Sequence, residues 1–388
     1  MPRRPAHWLL WSALAIHLPI ALVCVARSSQ PIYDFERYYE IATTAGRPYL
    51  DFPVEYPPGT VLTLRTLATT AGGRGRFGVG LVLISVVADA IIVAALGWGW
   101  GAAAAACYAL IVIPIVDLFF LRADLWSTAL VAVAVAAWQR ERRSVCGLSL
   151  AAGAALKLWP LAFFVLLLAP DRSRVRLMPI VAGAAAGAAI LGGWMWMAGW
   201  SGFYQVLTFR GAHGWEIEST VGSVWMLVSR SSMRVESGAW RIGTTSGLTS
   251  TLLAALAAAP CLWSIWRGGR TGHLGAGWIG GVSALLALSA LLSPQYAAWL
   301  APGCAIAWVQ RDRRLAVLGA LAIFLTNLIW KSFSPLVHGA TAPLVMLLAR
   351  NALLLFIAFD AARMLASAPA IGPALIARCR PRDAVIGM

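Results

Sequence analysis

The chain has 388 residues, of which 60% are hydrophobic and only 12% are charged, and its mean hydropathy is +0.74. Soluble globular domains are about 45–50% apolar and about 25% charged. This difference excludes a soluble globular enzyme, together with a disordered chain, a collagen or a coiled coil. The net charge of +15 is carried almost entirely by arginine, which fits either a nucleic-acid-binding protein or the orientation signal of a membrane protein.

Apolar runs of about 20 residues, the length that crosses a bilayer, recur along the whole chain. They predict an all-α polytopic membrane protein that folds as a single domain over residues 1–388, with both termini in the cytoplasm. The predicted bundle has about 12 transmembrane helices, within a range of about 10–13. Its spans are predicted at residues 8–26, 77–98, 101–119, 124–138, 145–170, 177–198, 247–266, 274–292, 295–309, 315–331 and 343–362.

One of these runs, 145–170, is predicted as two short helices that enter the membrane and return. Arginine clusters flank it on both sides, and Lys157 and Pro160 interrupt it in the middle. Proline breaks a helix because it lacks a backbone donor and clashes with the preceding turn. A charge inside a membrane is costly, which favours a contact between Lys157 and a substrate phosphate. The alternative is that its side chain extends to the membrane interface.

Two hydrophilic stretches, 27–76 and 199–245, are too long to be simple turns, and the order of the spans places both on the extracytoplasmic side. Within the first, residues 58–70 form a helix that is too short to cross the membrane, so we predict that it lies along the interface. Residues 363–388 form a basic cytoplasmic tail. The sequence shows no internal repeat, which gives no support to a transporter built from inverted repeats.

The first extracytoplasmic loop combines residue types that suit sugar chemistry. Between residues 33 and 59 it holds five of the eight tyrosines of the chain, several carboxylates and a run of prolines. Tyrosines can stack on sugar rings and donate hydroxyl hydrogen bonds, and a carboxylate at the membrane face can act as a general base toward a sugar hydroxyl. The alternative is a solvated acidic loop with interfacial tyrosines.

Asp34 directly follows the first span, and after it come GRPYLDFPVEYPPG at 46–59, ALKLWPL at 155–161 and SPQYAAWLAP at 293–302. In order and spacing these segments resemble the bacterial GT-C glycosyltransferases of the GT87 type, the polyprenol-phosphate-mannose-dependent mannosyltransferases and their relatives. The resemblance implies a GT-C glycosyltransferase-like bundle with a long first extracytoplasmic loop. It also implies an inverting transferase that takes a sugar from a polyprenyl-phosphate donor outside the cytoplasm and needs no cofactor beyond that donor.

The resemblance assigns the catalytic base to an acidic residue early in the first extracytoplasmic loop, a position that Asp34 matches. An inverting displacement needs one carboxylate to deprotonate the acceptor hydroxyl while the lipid phosphate leaves from the opposite face. Asp51 and Glu55 are the next candidates for this role. Their structural alternative is to bind backbone N–H groups of the loop or Arg47. Histidines and acidic residues do not converge at metal-ligand spacing, so we expect no metal site.

Other side chains are suited to holding the phosphate or the sugar. Arg210, His213 and Glu218 lie in FRGAHGWEIES of the second loop, for which an ordinary solvated loop is the alternative. Gln295 can hydrogen-bond a sugar hydroxyl or the phosphate, or it can simply follow Pro294 at a helix start. Some relatives carry histidines there, which leaves the acceptor open. The predicted substrate-binding residues are Asp51, Glu55, Tyr56, Lys157, Arg210, His213, Glu218, Gln295 and Tyr296.

Three acidic residues, Asp89, Asp117 and Asp124, lie in or near predicted spans. Arg122 lies between the last two, which favours a structural Asp–Arg pair, whereas Asp89 either lines a cavity or contacts a neighbouring helix. Two alternative functions stay open. One is transfer of another lipid-linked sugar, arabinofuranose or glucose. The other is transport or flipping of lipid-linked glycans, with Asp89, Asp117 and Lys157 as an ion relay.

The arginines follow the positive-inside rule of membrane proteins. The predicted cytoplasmic segments hold 17 of the 31 basic residues but only four of the 16 acidic residues. The excess charge therefore indicates membrane orientation and not nucleic-acid binding. Most carboxylates are therefore predicted to lie in the spans or at the outer face of a bacterial plasma membrane. There we expect an active site that meets a lipid-linked sugar donor, a glycolipid or polysaccharide acceptor and membrane lipids.

Overall fold

The computed structural model describes residues 4–27, 33–169, 177–229, 233–245 and 247–370. The arginine cluster at 172–176 and the chain after residue 370 lie outside these ranges. Within them, the α-helices in chain order are α1 Arg4–Arg27, α2 Tyr33–Thr43, α3 Pro58–Ala71, α4 Arg74–Trp100, α5 Ala102–Ile111, α6 Val116–Phe120, α7 Asp124–Gln139, α8 Arg143–Leu156, α9 Leu177–Leu207, α10 Thr220–Val228, α11 Gly247–Thr271, α12 Leu274–Ala287, α13 Ala301–Val309, α14 Arg313–Lys331, α15 Phe333–Val337 and α16 Thr341–Ser367.

The chain is a multi-pass membrane protein by the length and composition of its helices. Among the described residues, six helices are long and apolar enough to cross a membrane; they lie within α1, α4, α9, α11, α14 and α16. The helices Ala102–Ile111 and Ile113–Phe120 meet at 43° and count as a seventh span if both cross together. The predicted count of about 12 spans is not confirmed, because several of the other predicted spans are helices of 9–16 residues.

The predicted break at Lys157 is confirmed. Helix α8 ends at Leu156, Lys157 has an extended backbone (φ −150°, ψ 152°), and a 3-10 helix follows at Trp159–Leu168 with Pro160 at its start. A second break lies within α9 at Gly199, whose φ of 61° and ψ of −167° are not helical. Gly199 is the residue at which the sequence predicts the second outer loop to begin.

Helix α7 lies inside the bundle, between α4 and α8. Most of its side chains from Asp124 to Trp138 are buried, and many of them are alanine or valine. Small side chains let neighbouring helices approach closely. The same requirement is strict between α12 and α13, where a Cβ on Gly275 would lie 2.2 Å from the backbone nitrogen of Ala307. This packing holds Asp124, at the start of α7, inside the protein.

A small antiparallel sheet covers one end of the bundle, in the order β1 (Trp215–Glu216), β3 (Ala239–Ile242) and β2 (Arg234–Glu236). The all-α prediction did not include it. Strands β2 and β3 are joined by Ser237 and Gly238, whose φ values of 52° and 82° are those of a tight hairpin turn. The strands have two to four residues, too few to show an alternating pattern in the sequence.

A buried polar network joins α1 to α4 and α5. The His17 ring contacts Asp89 through Nδ1 and the carbonyl oxygen of Ala109 through Nε2, each at 2.8 Å. The Tyr108 hydroxyl donates to the other oxygen of Asp89 at 2.7 Å. His17 thus packs helices together. Asp89 contacts two neighbouring helices and also lines a cavity of about 260 Å³, so both structural alternatives for it hold.

Candidate active site

Most of the predicted site residues gather where the two predicted loops meet the helix ends. Asp34 lies in the first turn of α2, and its carboxylate forms an ion pair with Nη1 of Arg122, in the turn between α6 and α7. The Asp34 side chain is 19% exposed and that of Arg122 is 7% exposed. The base candidate therefore reaches the surface of the cluster, whereas its cationic partner is buried beneath it.

The expected pairing of Arg122 with Asp117 or Asp124 is wrong. Asp117 pairs with Lys331 at 2.6 Å, and Asp124 pairs with Lys157 at 2.8 Å. Neighbours in sequence do not pair here, because Asp124 starts α7 and its side chain is directed into the bundle.

Lys157 is buried at the helix break and does not extend to the interface. Its side chain is 14% exposed, and the ammonium group lies 4.9 Å from the ring centre of Tyr296. The rings of Tyr56 and Trp299 lie 5.6 and 5.8 Å away. Aromatic faces attract a cation, so Lys157 is held by one carboxylate and three rings. The interface alternative for Lys157 is therefore wrong.

The aromatic wall beside Lys157 is a stack of three rings. Trp299 lies between Trp159 and Tyr296, with ring centres 4.9 and 4.3 Å apart and interplanar angles of 13° and 20°. Gln295 and Tyr296 lie on the 3-10 turn Pro294–Trp299 that forms this wall, and Pro294 is at its start as predicted.

Glu55 joins the two predicted loops through two arginines. It accepts hydrogen bonds of 2.8–3.3 Å from Arg37, and its Oε2 lies 3.3 Å from Nε of Arg210. Asp51 instead accepts the backbone N–H of Arg47 at 2.7 Å in an exposed turn. The structural alternative of binding loop N–H groups or Arg47 is thus confirmed for Asp51, whereas Glu55 binds different arginines.

Two tyrosines of the first loop are buried beside Glu55. The Tyr49 hydroxyl donates to the carbonyl oxygen of Tyr56 at 2.6 Å. Burial and the nearby Glu55 carboxylate raise the pKa of both phenols. These hydroxyls stay protonated at neutral pH and can act as hydrogen-bond donors.

A pair of buried glutamates contributes from the second loop. Oε1 of Glu216 accepts the Ser293 hydroxyl at 3.1 Å, and the carbonyl oxygen of Glu218 accepts hydrogen bonds from Arg350 and Asn351. Burial raises the pKa of both carboxyls, and the nearby Glu216 contributes to raising the pKa of Glu218 to about 8. A carboxyl of this kind exchanges protons near neutral pH.

His213 lies apart from this cluster. Its side chain is exposed, and its backbone N–H donates to Glu236 at 2.7 Å. Arg210, three residues earlier, does reach the cluster. Phe209 and Arg210 have φ values of 50° and 63°, and the side chain of Arg210 contacts Glu55.

Several buried oxygen atoms of the cluster have no hydrogen-bond partner within the described ranges. They include Oε2 of Glu216, Oε1 of Glu218 and Oε1 of Gln295. Leaving a buried polar atom unpaired costs about 1–3 kcal/mol. Such atoms fit the hydroxyl groups of a ligand, which would donate to them.

Sequence reasoning missed three functional candidates in this cluster: Arg122, Arg241 and Arg350. Arg350 is 2% exposed in α16, and it lies within an apolar run that the sequence predicts to span the membrane. A charge in such a run is itself a signal of function. The sequence favours a structural pair for Arg122, and no local pattern distinguishes Arg241.

Comparison with known proteins supports one family. The model of glycosyltransferase family 87 matches residues 54–294, a range that includes Glu55, Lys157 and Glu218. Among solved structures, the chain is similar to ArnT from Cupriavidus metallidurans bound to undecaprenyl phosphate, with 14% identity, a TM-score of 0.49, and coverage of 93% of this chain and 78% of that chain. The comparison with curated proteins finds no match. Because the family model matches more than half of the chain, this protein belongs to glycosyltransferase family 87.

Proposed function

We propose that this glycosyltransferase moves a hexose, with mannose as the first candidate, from a polyprenyl-phosphate sugar to a lipid or polysaccharide acceptor. The observation that carries the proposal is the placement of Asp34, a partly exposed carboxylate at the edge of a buried cluster of cations, carboxylates and aromatic rings. Family membership supports sugar transfer, and the sequence segments shared with the mannosyltransferases support mannose.

Asp34 is proposed as the general base. It takes the proton of the acceptor hydroxyl while that oxygen forms a bond to the anomeric carbon of the sugar. The bond from the anomeric carbon to the phosphate oxygen breaks on the opposite face, and its electron pair leaves with the polyprenyl phosphate. The configuration at the anomeric carbon is inverted. No protein acid is needed, because the phosphate leaves as a stable anion.

The surrounding residues are proposed to bind the two ends of the donor. Lys157 supplies a cation for the phosphate, and Arg210 supplies a second at the edge of the cluster. The face of Tyr296 and the unpartnered oxygens of Glu218 and Gln295 suit a sugar ring, because rings stack on aromatic faces and their hydroxyls donate to acceptor oxygens. Asp51 and His213 lie outside this arrangement.

The site is proposed to face the extracytoplasmic side. Helix α7 begins at Asp124 in the cluster and ends at Gln139, beside an arginine cluster. Helix α14 runs the opposite way, from Arg313 and Arg314 to Lys331, which pairs with Asp117. Arginine-rich helix ends thus lie away from the site, as expected for a cytoplasmic face.

The alternative of a transporter or flippase receives less support. Its proposed relay consists of Asp89, Asp117 and Lys157. Each of these contacts a different partner: His17, Lys331 and Asp124 respectively. Within the described ranges no hydrogen bond or ion pair connects the three.

The decisive test measures sugar transfer by membranes that contain the wild type or Asp34→Asn. Radiolabelled polyprenyl-phosphate mannose is compared with the arabinofuranose and glucose donors. Loss of a general base costs about 10²–10⁴-fold in rate, so we expect Asp34→Asn to fall in this range.

The matched control is Glu36→Gln, which changes an exposed carboxylate on the same helix that pairs with Arg74. This variant should retain transfer to within about twofold, because exposed ion pairs contribute little. Full activity of Asp34→Asn would remove Asp34 as the base. Failure of the wild type to consume any lipid-linked sugar, together with movement of lipid-linked glycan across vesicles, would favour the flippase.

A further inference from the structure

Arg122 interacts with several groups of the cluster besides the proposed base Asp34. Its backbone is fixed in the turn before α7, where its N–H donates to Phe119 at 3.0 Å. Its guanidinium pairs with Asp34 and lies 5.6 Å from the ring centre of Trp330. The other titratable groups that interact with it electrostatically are Asp124, Glu216, Glu218 and Tyr296.

The other cations of the cluster contact groups other than the proposed base. Arg37 and Arg210 bind Glu55, and Lys157 binds Asp124. Arg241 and Arg350 donate to backbone carbonyl oxygens. Among the residues that the structure describes, Arg122 is thus the cation in contact with the proposed base. Burial lowers its pKa to about 10, so it stays charged at neutral pH.

The proposed reaction changes the charges of two groups to which this guanidinium is attracted, the Asp34 carboxylate and the donor phosphate. Before transfer, Asp34 is an anion and the donor phosphate is a diester with one negative charge. After transfer, Asp34 holds the acceptor proton and is neutral, whereas the polyprenyl phosphate is a monoester that has gained a second negative charge. The attraction of Arg122 to Asp34 therefore falls during the reaction, and its attraction to a phosphate within reach rises.

We propose that Arg122 exchanges partners during catalysis. It holds Asp34 in the resting enzyme and binds the phosphate of the polyprenyl lipid as the sugar leaves. This inference rests on the proposed function. A carboxylate paired with a guanidinium is a weaker base until a phosphate competes for that cation. Arg122 therefore couples the base to the leaving group.

Arginine suits this exchange better than lysine. A guanidinium presents five N–H donors in a planar fork, so it can begin to bind phosphate oxygens while one nitrogen still contacts a carboxylate. The flexible stem of Arg122 allows its charged group to move while the backbone of the turn stays in place. The step needs no other reactant, since the proton goes to Asp34 and the electron pair goes to the phosphate.

The test measures binding of undecaprenyl phosphate, the product lipid, to purified protein without turnover. We expect Arg122→Gln to weaken binding by about tenfold or more, the cost of losing one charge-assisted hydrogen bond. Asp34→Asn should instead bind this lipid more tightly than the wild type, because Arg122 is freed from its partner. In the double variant the gain should disappear.

Two further variants separate this role from a structural one. Arg74→Gln removes an exposed ion pair with Glu36, which lies on α2 with Asp34, and should leave lipid binding unchanged within about twofold. Arg122→Lys keeps the charge, so we expect it to bind the lipid but to transfer sugar more slowly than the wild type. If Arg122 only supported the fold, Arg122→Gln would lower the melting temperature. Asp34→Asn and Arg122→Gln would then not change lipid binding in opposite directions.

Wild-type binding by Arg122→Gln, or unchanged binding by Asp34→Asn, would overturn the partner exchange even if the enzyme transfers sugar. If the wild type neither binds undecaprenyl phosphate nor transfers sugar, the proposed function itself fails. The two failures are therefore distinguishable in one set of measurements.

Discussion

At the scale of single residues, the carboxylates around the candidate site fall into two groups. Glu36, Glu40 and Asp51 are at least 40% exposed and pair with arginines at the rim. The carboxylates of the second group are largely or fully buried and connect different segments of the chain: Asp34, Glu55, Asp124, Glu216 and Glu218. Only the second group can act on a ligand that is shielded from water.

The buried Glu218 makes stability depend on pH. Its pKa is about 8 in the folded protein and 4.5 without these surroundings. Between these values the unfolded chain has lost the proton that the folded chain still holds, so raising the pH favours unfolding. Glu218→Gln cannot ionise. We therefore expect its melting temperature, relative to the wild type, to rise between about pH 5 and pH 8.

The control for this measurement is Glu36→Gln, since Glu36 is exposed. Its melting temperature relative to the wild type should change little across the same range. A difference between Glu218→Gln and the wild type that is constant with pH would show that Glu218 ionises normally.

At the scale of elements, the first loop is built onto the helix break through α3. The Thr60 hydroxyl donates to the carbonyl oxygen of Leu156, the last residue of α8, at 2.7 Å. Helix ends leave such carbonyls without partners, so α3 completes the end of α8. A Cβ on the neighbouring Gly59 would lie 2.6 Å from the carbonyl oxygen of Ala155, so only glycine allows this contact.

Gly59→Ala should therefore push α3 away from α8 and displace Lys157, which follows the break. We expect a loss of about 1–3 kcal/mol in the free energy of unfolding and a larger loss of transfer than of acceptor binding. Gly75→Ala is the matched control, because a Cβ on Gly75 has open space around it. A Gly59→Ala protein as stable as Gly75→Ala would show that the two helices do not need this close contact.

At the scale of the whole molecule, one position near the site and one at the far end of α7 test the orientation of the protein. Thr69 lies exposed at the end of α3 on the site side, and Gln139 lies exposed at the opposite end of α7. In a background without the native cysteines, an impermeant maleimide applied to intact cells should label Thr69→Cys and not Gln139→Cys. After the membrane is opened, both should react. The reverse pattern would place the site in the cytoplasm.

Much of the architecture can be predicted from local sequence. The break at Lys157 follows from Pro160, the helix at Pro58–Ala71 follows from its apolar residues after two prolines, and the family follows from segments such as VEYPP. The sheet could not be predicted, because its strands are too short for a pattern. The number of spans is also not fixed by apolar runs alone, since a buried helix such as α7 is as apolar as one that faces lipid.

The sequence by itself determined that this is a basic membrane protein whose arginines indicate its orientation, and that it belongs to a glycosyltransferase family. Hydropathy, proline breaks and family segments are local properties of the chain, so they can be read without the fold. Only the tertiary structure decided which charges meet. Asp34 pairs with Arg122 across 88 positions, and Lys157 with Asp124 across 33. The Arg350 guanidinium donates to the backbone carbonyl oxygen of Glu218 across 132. Such partners are selected by the cost of leaving a buried charge alone, which depends on how the helices pack and not on neighbours in the chain.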